Sequence, residues 1–351
     1  MRLFTLLLAI AATPAGAAPL AQDNLPGLYF SYGDWELACD NTGTCRAAGY
    51  QVEQGSAPLS LLLTRKAGPG QPVRAQLQLG DAADERARAR PRAPLTLALR
   101  LDGKAAGSVR AGDAPAEVPA ATLAALLAAL PHSVAIDWSA GAERWRLSDQ
   151  GAAAVLLKMD EYQGRIGTRG ALVKPGDASE QQVPKATPAP VIQAVRWTRT
   201  VPGKTLLAEN QAEPLRKALR ASLGQRDYCP ELLDGDEEPL SVRRLDARRL
   251  LVSTRCATGA YNISDGYWVI DDSPAFHPQL VTTSGSEAEE PYITESHKGR
   301  GIGDCRSSAT WTWDGERFVH SAASSTGMCR MVAAGGAWDL PRLVSEVRAP
   351  R

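Results

Sequence analysis

The chain has 351 residues, 39 Lys and Arg against 39 Asp and Glu, and six Cys. Its 44% hydrophobic and 22% charged residues are ordinary globular composition, which excludes collagen-like and wholly disordered chains. The balanced charge provides no broad basic face for nucleic acid, and the length fits two domains better than one.

The N-terminus reads as a secretory signal. Arg2 supplies a positive start, Leu3 to Ala12 an apolar run too short to span a bilayer, and Ala15-Gly16-Ala17 a small-residue cleavage site. Cleavage is expected after Ala17 or Ala18. No Cys follows the apolar run until Cys39, so a lipoprotein anchor is not expected. No later stretch approaches the ~20 apolar residues of a spanning helix; Ala120 to Leu130 is too short and meets Pro131. The expected mature protein is soluble and periplasmic or secreted.

Trp35, Leu37 and Cys39 alternate with polar or small residues, a strand pattern. Asp40 to Thr44 is a turn, and Cys45 starts the return strand. Leu95, Leu97, Leu99 and Leu101 alternate cleanly before Asp102-Gly103, a two-residue hairpin turn. Two helices follow, one over Ala120 to Leu130 and one over Asp149 to Gln163, the latter with Ser148 as N-cap and Gly164 just past its end. Residues 175–190 are rich in Pro and polar residues and lack apolar periodicity, so they read as a linker. The expected plan is a signal peptide at 1–18, a β-rich domain at 19–174, this linker, and a second β-rich domain at 191–351.

In the second half Pro214 to Leu223 reads as a helix ended by Gly224. Leu250, Val252, Thr254 and Cys256 share one strand face. Asp265-Gly266 reads as a hairpin turn, and Asp314-Gly315 as another, a register that sets Trp313 against Glu316 and Trp311 against Phe318. The fold class expected is α+β and mostly antiparallel: two domains, each a sandwich or barrel-like sheet with one or two helices. No period of 20–50 residues marks a propeller or solenoid.

In an oxidising compartment Cys39, Cys45, Cys229, Cys256, Cys305 and Cys329 read as disulfides. If bridges stay within domains, Cys39 pairs with Cys45 and three arrangements of the other four remain. Local pairing of Cys229 with Cys256 and Cys305 with Cys329 is the first choice. The expected hairpin register sets Cys305 opposite residue 324, so the last bridge requires the chain to bend off the ladder.

No C-x-x-C, H-E-x-x-H, G-x-S-x-G or Walker A motif occurs, and His132, His277, His297 and His320 stand apart in the sequence. No catalytic residue, metal ligand or cofactor is therefore assigned. His297-Lys298-Gly299-Arg300-Gly301-Ile302-Gly303-Asp304 is the strongest binding candidate, because amides freed by Gly beside Lys and Arg can cradle an anion. Its spacing is not G-x-G-x-x-G and an aromatic strand follows, which argues against a dinucleotide fold. Lys298, Arg300, Gly301 and Gly303, with Trp311 and Trp313 as cleft-lining aromatics, form the candidate ligand or anion site. Asp234-Gly235-Asp236-Glu237-Glu238 lacks EF-hand spacing and reads as a surface turn. The Arg-rich runs Arg86 to Arg92, Arg243-Arg244 and Arg248-Arg249 read as solvated faces.

Length, signal peptide, six Cys and two segments, Gly33 to Tyr50 and Lys298 to Cys305, resemble an uncharacterised exported bacterial family, domain-of-unknown-function family 1176. The resemblance covers essentially the whole mature chain. The first half is also similar to the invasion-associated locus B family, small secreted β-rich proteins with a Gly-Asp-Trp opening before a Cys; a second Cys pair of that family has no counterpart here. The resemblance implies an exported location and a disulfide framework, and it transfers no catalytic residue. The expected function is a non-catalytic periplasmic binding or envelope-associated protein. The alternatives are a hydrolase of glycans or peptides, recognised by convergent carboxylates or a Ser–His pair, and a structural or host-interaction protein. A small ligand or envelope component is the expected partner.

Overall fold

The computed structural model describes residues 25–52, 57–80, 94–198, 206–235 and 239–350. The expected signal peptide, the Arg-rich run 86–92 and the acidic residues 236–238 lie outside them. Among the described residues no helix is long and apolar enough to cross a membrane.

Strands β1 (Leu28–Tyr32), β2 (Trp35–Cys39), β3 (Cys45–Tyr50), β4 (Leu59–Arg65) and β5 (Val73–Leu79) form an antiparallel meander. Next come β6 (Leu95–Leu101) and β7 (Lys104–Ala111), joined by the tight Asp102-Gly103 turn, with Leu101 paired to Lys104. β8 (Ala116–Glu117) returns to the edge beside β5. After α1 (Ala120–Ala129), β9 (Ile136–Ala140) and β10 (Glu143–Leu147) complete a second sheet of order β10-β9-β6-β7. Leucines from both sheets, Trp35 and Trp138 meet Val155, Leu156 and Met159 of α2 (Ala152–Tyr162) in one core. α2 begins at Ala152, not Asp149, because Gly151 takes the cap position with left-handed backbone (φ +102°) and Asp149 instead bonds the Val134 amide.

Residues 175–190 lie along this first half. Glu180, in a short 3-10 turn, pairs with the fully buried Arg165 at 2.5 Å and accepts from Thr168 at 2.6 Å. The Thr187 amide donates to Thr42.

The second half is layered. β11 (Val191–Gln193) pairs in parallel with the last strand of the chain. α3 (Ala212–Ser222) and α4 (Pro230–Asp234) cover one face of the sheet made by β12 (Ser241–Arg244), β13 (Arg249–Thr258), β14 (Ile263–Asp271) and β15 (Gln279–Gly285). The other face packs on a sheet of β16 (Glu287–Glu289), β17 (Tyr292–Lys298), β18 (Arg306–Trp313), β19 (Phe318–Ser325) and β20 (Leu340–Leu343). Leu251, Tyr267 and Val269 meet Ile293, Trp313 and Phe318 between the two sheets. β21 (Glu346–Arg348) closes the chain against β11. The fold is α+β, rich in antiparallel strands, and none of the described sheets closes into a barrel.

Two of the expected tight turns are corrected. Asp265-Gly266 is not a turn but the middle of β14, since the chain reverses at 259–262. A Cβ on Gly266 would lie 2.3 Å from the Trp268 ring and 2.7 Å from Cys256 Sγ, so the glycine makes room for packing. The 314–315 hairpin is a four-residue loop. The Asp314 carboxylate accepts the Glu316 and Arg317 amides, each at 2.8 Å, which widens it and pairs Trp313 with Phe318 and Trp311 with His320. That register, with a bulge at Thr310/Trp311, carries Ser307 opposite Ser325 and Arg306 onto Thr326. Cys305 then needs to reach only a little further along the returning chain to meet Cys329.

Three disulfides form: Cys39–Cys45, Cys229–Cys256 and Cys305–Cys329. The last anchors a return of residues 326–344 onto the outer face of the first sheet. Val332, Trp338 and Leu340 pack on Ala38, Ala48, Tyr50 and Leu62 there. This explains why every residue of β2 is buried, on both faces.

Candidate functional site

Between the two sheets of the second half the apolar core turns polar at one end. Along β17 Ile293, Glu295 and His297 share a face by strand alternation. Ile293 lies in the core, while Glu295 and His297 point among hydroxyls. His297 Nε2 lies 3.3 Å from Ser264 Oγ of β14, and His297 Nδ1 lies 3.9 Å from Glu295 Oε1. Ser284 of β15 donates to Glu295 Oε2 at 2.5 Å and lies 3.0 Å from Thr282 Oγ1. His297 is 5% exposed, and Ser264 is half-buried.

Ser264 sits beside two irregularities of the ladder, both on its C-terminal side. Cys256 is an extra residue between Arg255 and Ala257, and the pairing of β14 with β15 shifts after Asp265. Such bulges redirect side chains. Chemically the group is a hydroxyl, an imidazole and a carboxylate in series. That order allows proton transfer from oxygen to nitrogen, with the carboxylate facing the far side of the ring.

The candidate loop starts where β17 ends. Asn262 holds the Lys298 main chain at both its amide (2.8 Å) and its carbonyl (2.9 Å). The Gly299 amide donates to Cys305 and the Gly303 amide to Arg300. Arg300 grips Asp304 with two bonds of 2.7 and 2.6 Å. Asp304 also accepts the Met331 amide at 2.7 Å. Burial alone would raise the Asp304 carboxyl, but Arg300 and the Met331 amide hold it below its ordinary value. Two of the expected cradle amides are therefore taken up inside the loop, and Arg300 has a carboxylate partner. The carboxylate of Asp304 and the sulfurs of Cys305 and Cys329 lie within 4.8 Å of one another, but both sulfurs belong to the disulfide.

The structure brings Lys298, Arg300, Gly301 and Gly303 together and sets Trp311 and Trp313 elsewhere. Lys298 pairs across strands with Arg306, so Trp311 stands five residues along β18 from the loop's edge. Trp311 stacks on His320 at 4.8 Å, and Trp313 is buried in the inter-sheet core under Arg249. At the loop itself the exposed apolar groups are Ile302 (67%), Tyr261 (43%) and, one strand position past Asn262, Ile263 (51%). Tyr261 reaches the Gly299 carbonyl at 3.4 Å.

A second polar group lies under the C-terminal return. Glu36, 2% exposed, accepts from the Met328 amide (2.6 Å), Tyr50 (2.7 Å) and Tyr29 (3.3 Å). Burial pushes its carboxyl up. Burial and the nearby Glu36 charge push Tyr29 to about 12. Arg330 pairs with Asp34 at 2.8 Å, and Trp338 donates to Ser60 at 2.7 Å.

Sequence reasoning missed Ser264 and Glu295 and named His297 only as the first residue of the candidate loop. Glu295-Ser296-His297 has the period-2 spacing that puts acid and imidazole on one strand face. Ser264 stood in a segment read as a hairpin arm, and its meeting with His297 needs two sheets to stack.

The family described as "Protein of unknown function (DUF1176)" matches residues 29–345. This chain belongs to that family. An uncharacterized protein of Escherichia coli (strain K12), YpfG, is 28% identical over 325 residues, covering 84% of this chain and 88% of that protein. No solved structure matches.

Proposed function

We propose that this DUF1176 protein is exported and serves as a binding or envelope-associated protein, with loop 298–304 as its recognition element. The observation that carries the reading is the loop's construction. It is pinned by Asn262 at its start, braced inside by Arg300 and Asp304, and backed by the Cys305–Cys329 bridge, yet Ile302 at its tip is two-thirds exposed. A loop ordered before binding loses little entropy when it binds. Ile302 stands exposed on the loop, and the half-exposed Tyr261 lies against its glycines; contiguous exposed apolar groups are what a contact surface presents. Disulfides involving all six cysteines fit an oxidising compartment. On this reading residues 19–174 and 191–351 are two units joined at 175–190, and residues 1–18 are the export signal.

Two measurements test it. Fractionation should find the chain outside the cytoplasm with a mature N-terminus near Ala17 or Ala18; full-length chain in the cytoplasm overturns export. A photo-crosslinking amino acid at position 302, in living cells, should give discrete adducts that the same group at exposed Glu143 does not. Equal or absent adducts overturn the loop's role.

A further inference from the structure

The polar end of the inter-sheet core holds more than a binding surface requires. We propose that Ser264 is a nucleophile for acyl transfer, with His297 as its base, and that this group beside loop 298–304 hydrolyses a carboxylic ester. The inference goes beyond recognition by the loop and does not depend on it.

Three observations carry it. First, the groups are in the right order: hydroxyl to imidazole Nε2 at 3.3 Å, then imidazole Nδ1 to Glu295 at 3.9 Å. Unliganded nucleophile–base contacts are often looser than in the reacting complex. Second, Glu295 is itself fixed. Ser284 donates to its other oxygen, so the acid faces the ring from a set position. Third, Ser264 stands directly beside the β13 bulge at Cys256, one residue before the β14–β15 pairing starts to slip, while the carboxylate and imidazole project from the opposing sheet. A residue needed only to fill the sheet would sit in regular pairing; irregularities are concentrated next to active sites. Burial differs across the trio, since His297 is 5% exposed and Ser264 only half-buried.

The step balances without any cofactor. With Nδ1–H toward Glu295, Nε2 is free to accept. Ser264 Oγ attacks the acyl carbon as its proton moves to His297 Nε2. The C–O bond to the leaving alcohol breaks, and that proton passes to the alcohol oxygen. Water then attacks the acyl-serine, giving its proton to His297, which returns it to Ser264 Oγ as the acid leaves. An ester suits the site because an alkoxide oxygen leaves the acyl carbon more readily than an amide nitrogen, which demands less of the base. Glu295 acts through His297 and is a positioning residue.

The test uses the full mature chain with its disulfides intact, a fluorophosphonate probe and p-nitrophenyl acetate. One adduct is expected, on the peptide holding Ser264, together with p-nitrophenol release. Ser264→Ala should abolish both. His297→Ala should lower labelling by about 10²-fold or more, the usual contribution of a general base. Glu295→Gln should lower the inactivation rate constant while probe affinity stays the same, a split that a merely structural role would not produce. A folded native protein that stays unlabelled, or labels only at another serine, overturns the proposal, as does release that persists in Ser264→Ala. Because labelling is read on the native chain, its failure is independent of crosslinking at position 302.

Discussion

At Glu36 a carboxylate loses its water to a segment 292 residues away along the chain. Strand alternation sets Glu36 opposite Trp35, on the face that a lone sheet would leave wet. The return of Met328 over it converts a surface acid into a buried acceptor for one amide and two phenols. Burial raises its folded pKa, so the neutral form is the one the fold favours. That contribution is complete below the ordinary carboxylate range and is lost as pH rises through the raised folded value. Urea unfolding across this window should therefore show stability falling with pH in the native protein. Glu36→Gln should flatten that slope. Glu36→Ala strands the Tyr50 hydroxyl and leaves the Met328 amide only its longer bond to Tyr50 Oη (3.2 Å); it should cost about 1–3 kcal/mol at low pH, and less as pH rises through the folded Glu36 value. A native protein with the same slope as Glu36→Gln would show that the carboxyl does not titrate across folding. Nothing local in Trp35-Glu36-Leu37 announces this environment, because it is made by residues from the far end of the chain.

Element boundaries were legible where the cause is local. The Asp102-Gly103 turn, the start of α1 after Pro119 and the Cys39–Cys45 hairpin all follow from neighbours in sequence. The same dipeptide misleads at Asp265-Gly266. There Gly is present because the Trp268 ring and Cys256 crowd the position, and the strand continues straight through. Turn chemistry and tight packing select the same residue, and sequence alone does not separate them. Gly266→Ala separates them experimentally. At a tight turn Ala would act through backbone strain alone, whereas here it collides with a ring and a disulfide. Overpacking of this kind should cost about 1–3 kcal/mol. Paired with Trp268→Leu, which opens the space, much of that loss should be recovered. Equal losses with and without the large ring would return Gly266 to a backbone role. The Ser264–His297–Glu295 trio between the sheets has the same difficulty in another form. Glu295 and His297 are neighbours by strand period, but Ser264 joins them only when the sheets stack.

At the scale of the whole molecule the three disulfides do different work, and their closed loops rank them. Cys39 and Cys45 are six residues apart, Cys305 and Cys329 twenty-four, Cys229 and Cys256 twenty-seven. Constraining the unfolded chain across the longer spans is worth about 3.5 kcal/mol, against about 2.4 kcal/mol for the short one, on the chain-entropy relation. Replacing each pair by Ser should reproduce that order in urea unfolding. Entropy does not distinguish the two longer bridges, but position does. Cys229–Cys256 ties α4 to β13 within the second half. Cys305–Cys329 stands at the root of the segment that crosses to the first sheet, one residue after the Met328 amide that reaches Glu36 and one before Arg330, which reaches Asp34. Cutting it frees the root while Trp338 and Val344 stay bonded further on. Hydrogen exchange at the Met328 and Met331 amides should accelerate in Cys305→Ser/Cys329→Ser and remain slow in Cys229→Ser/Cys256→Ser. Equal protection in the two variants would mean that the Glu36 and Asp304 contacts hold the return by themselves, with the bridge adding only to the unfolded chain's constraint.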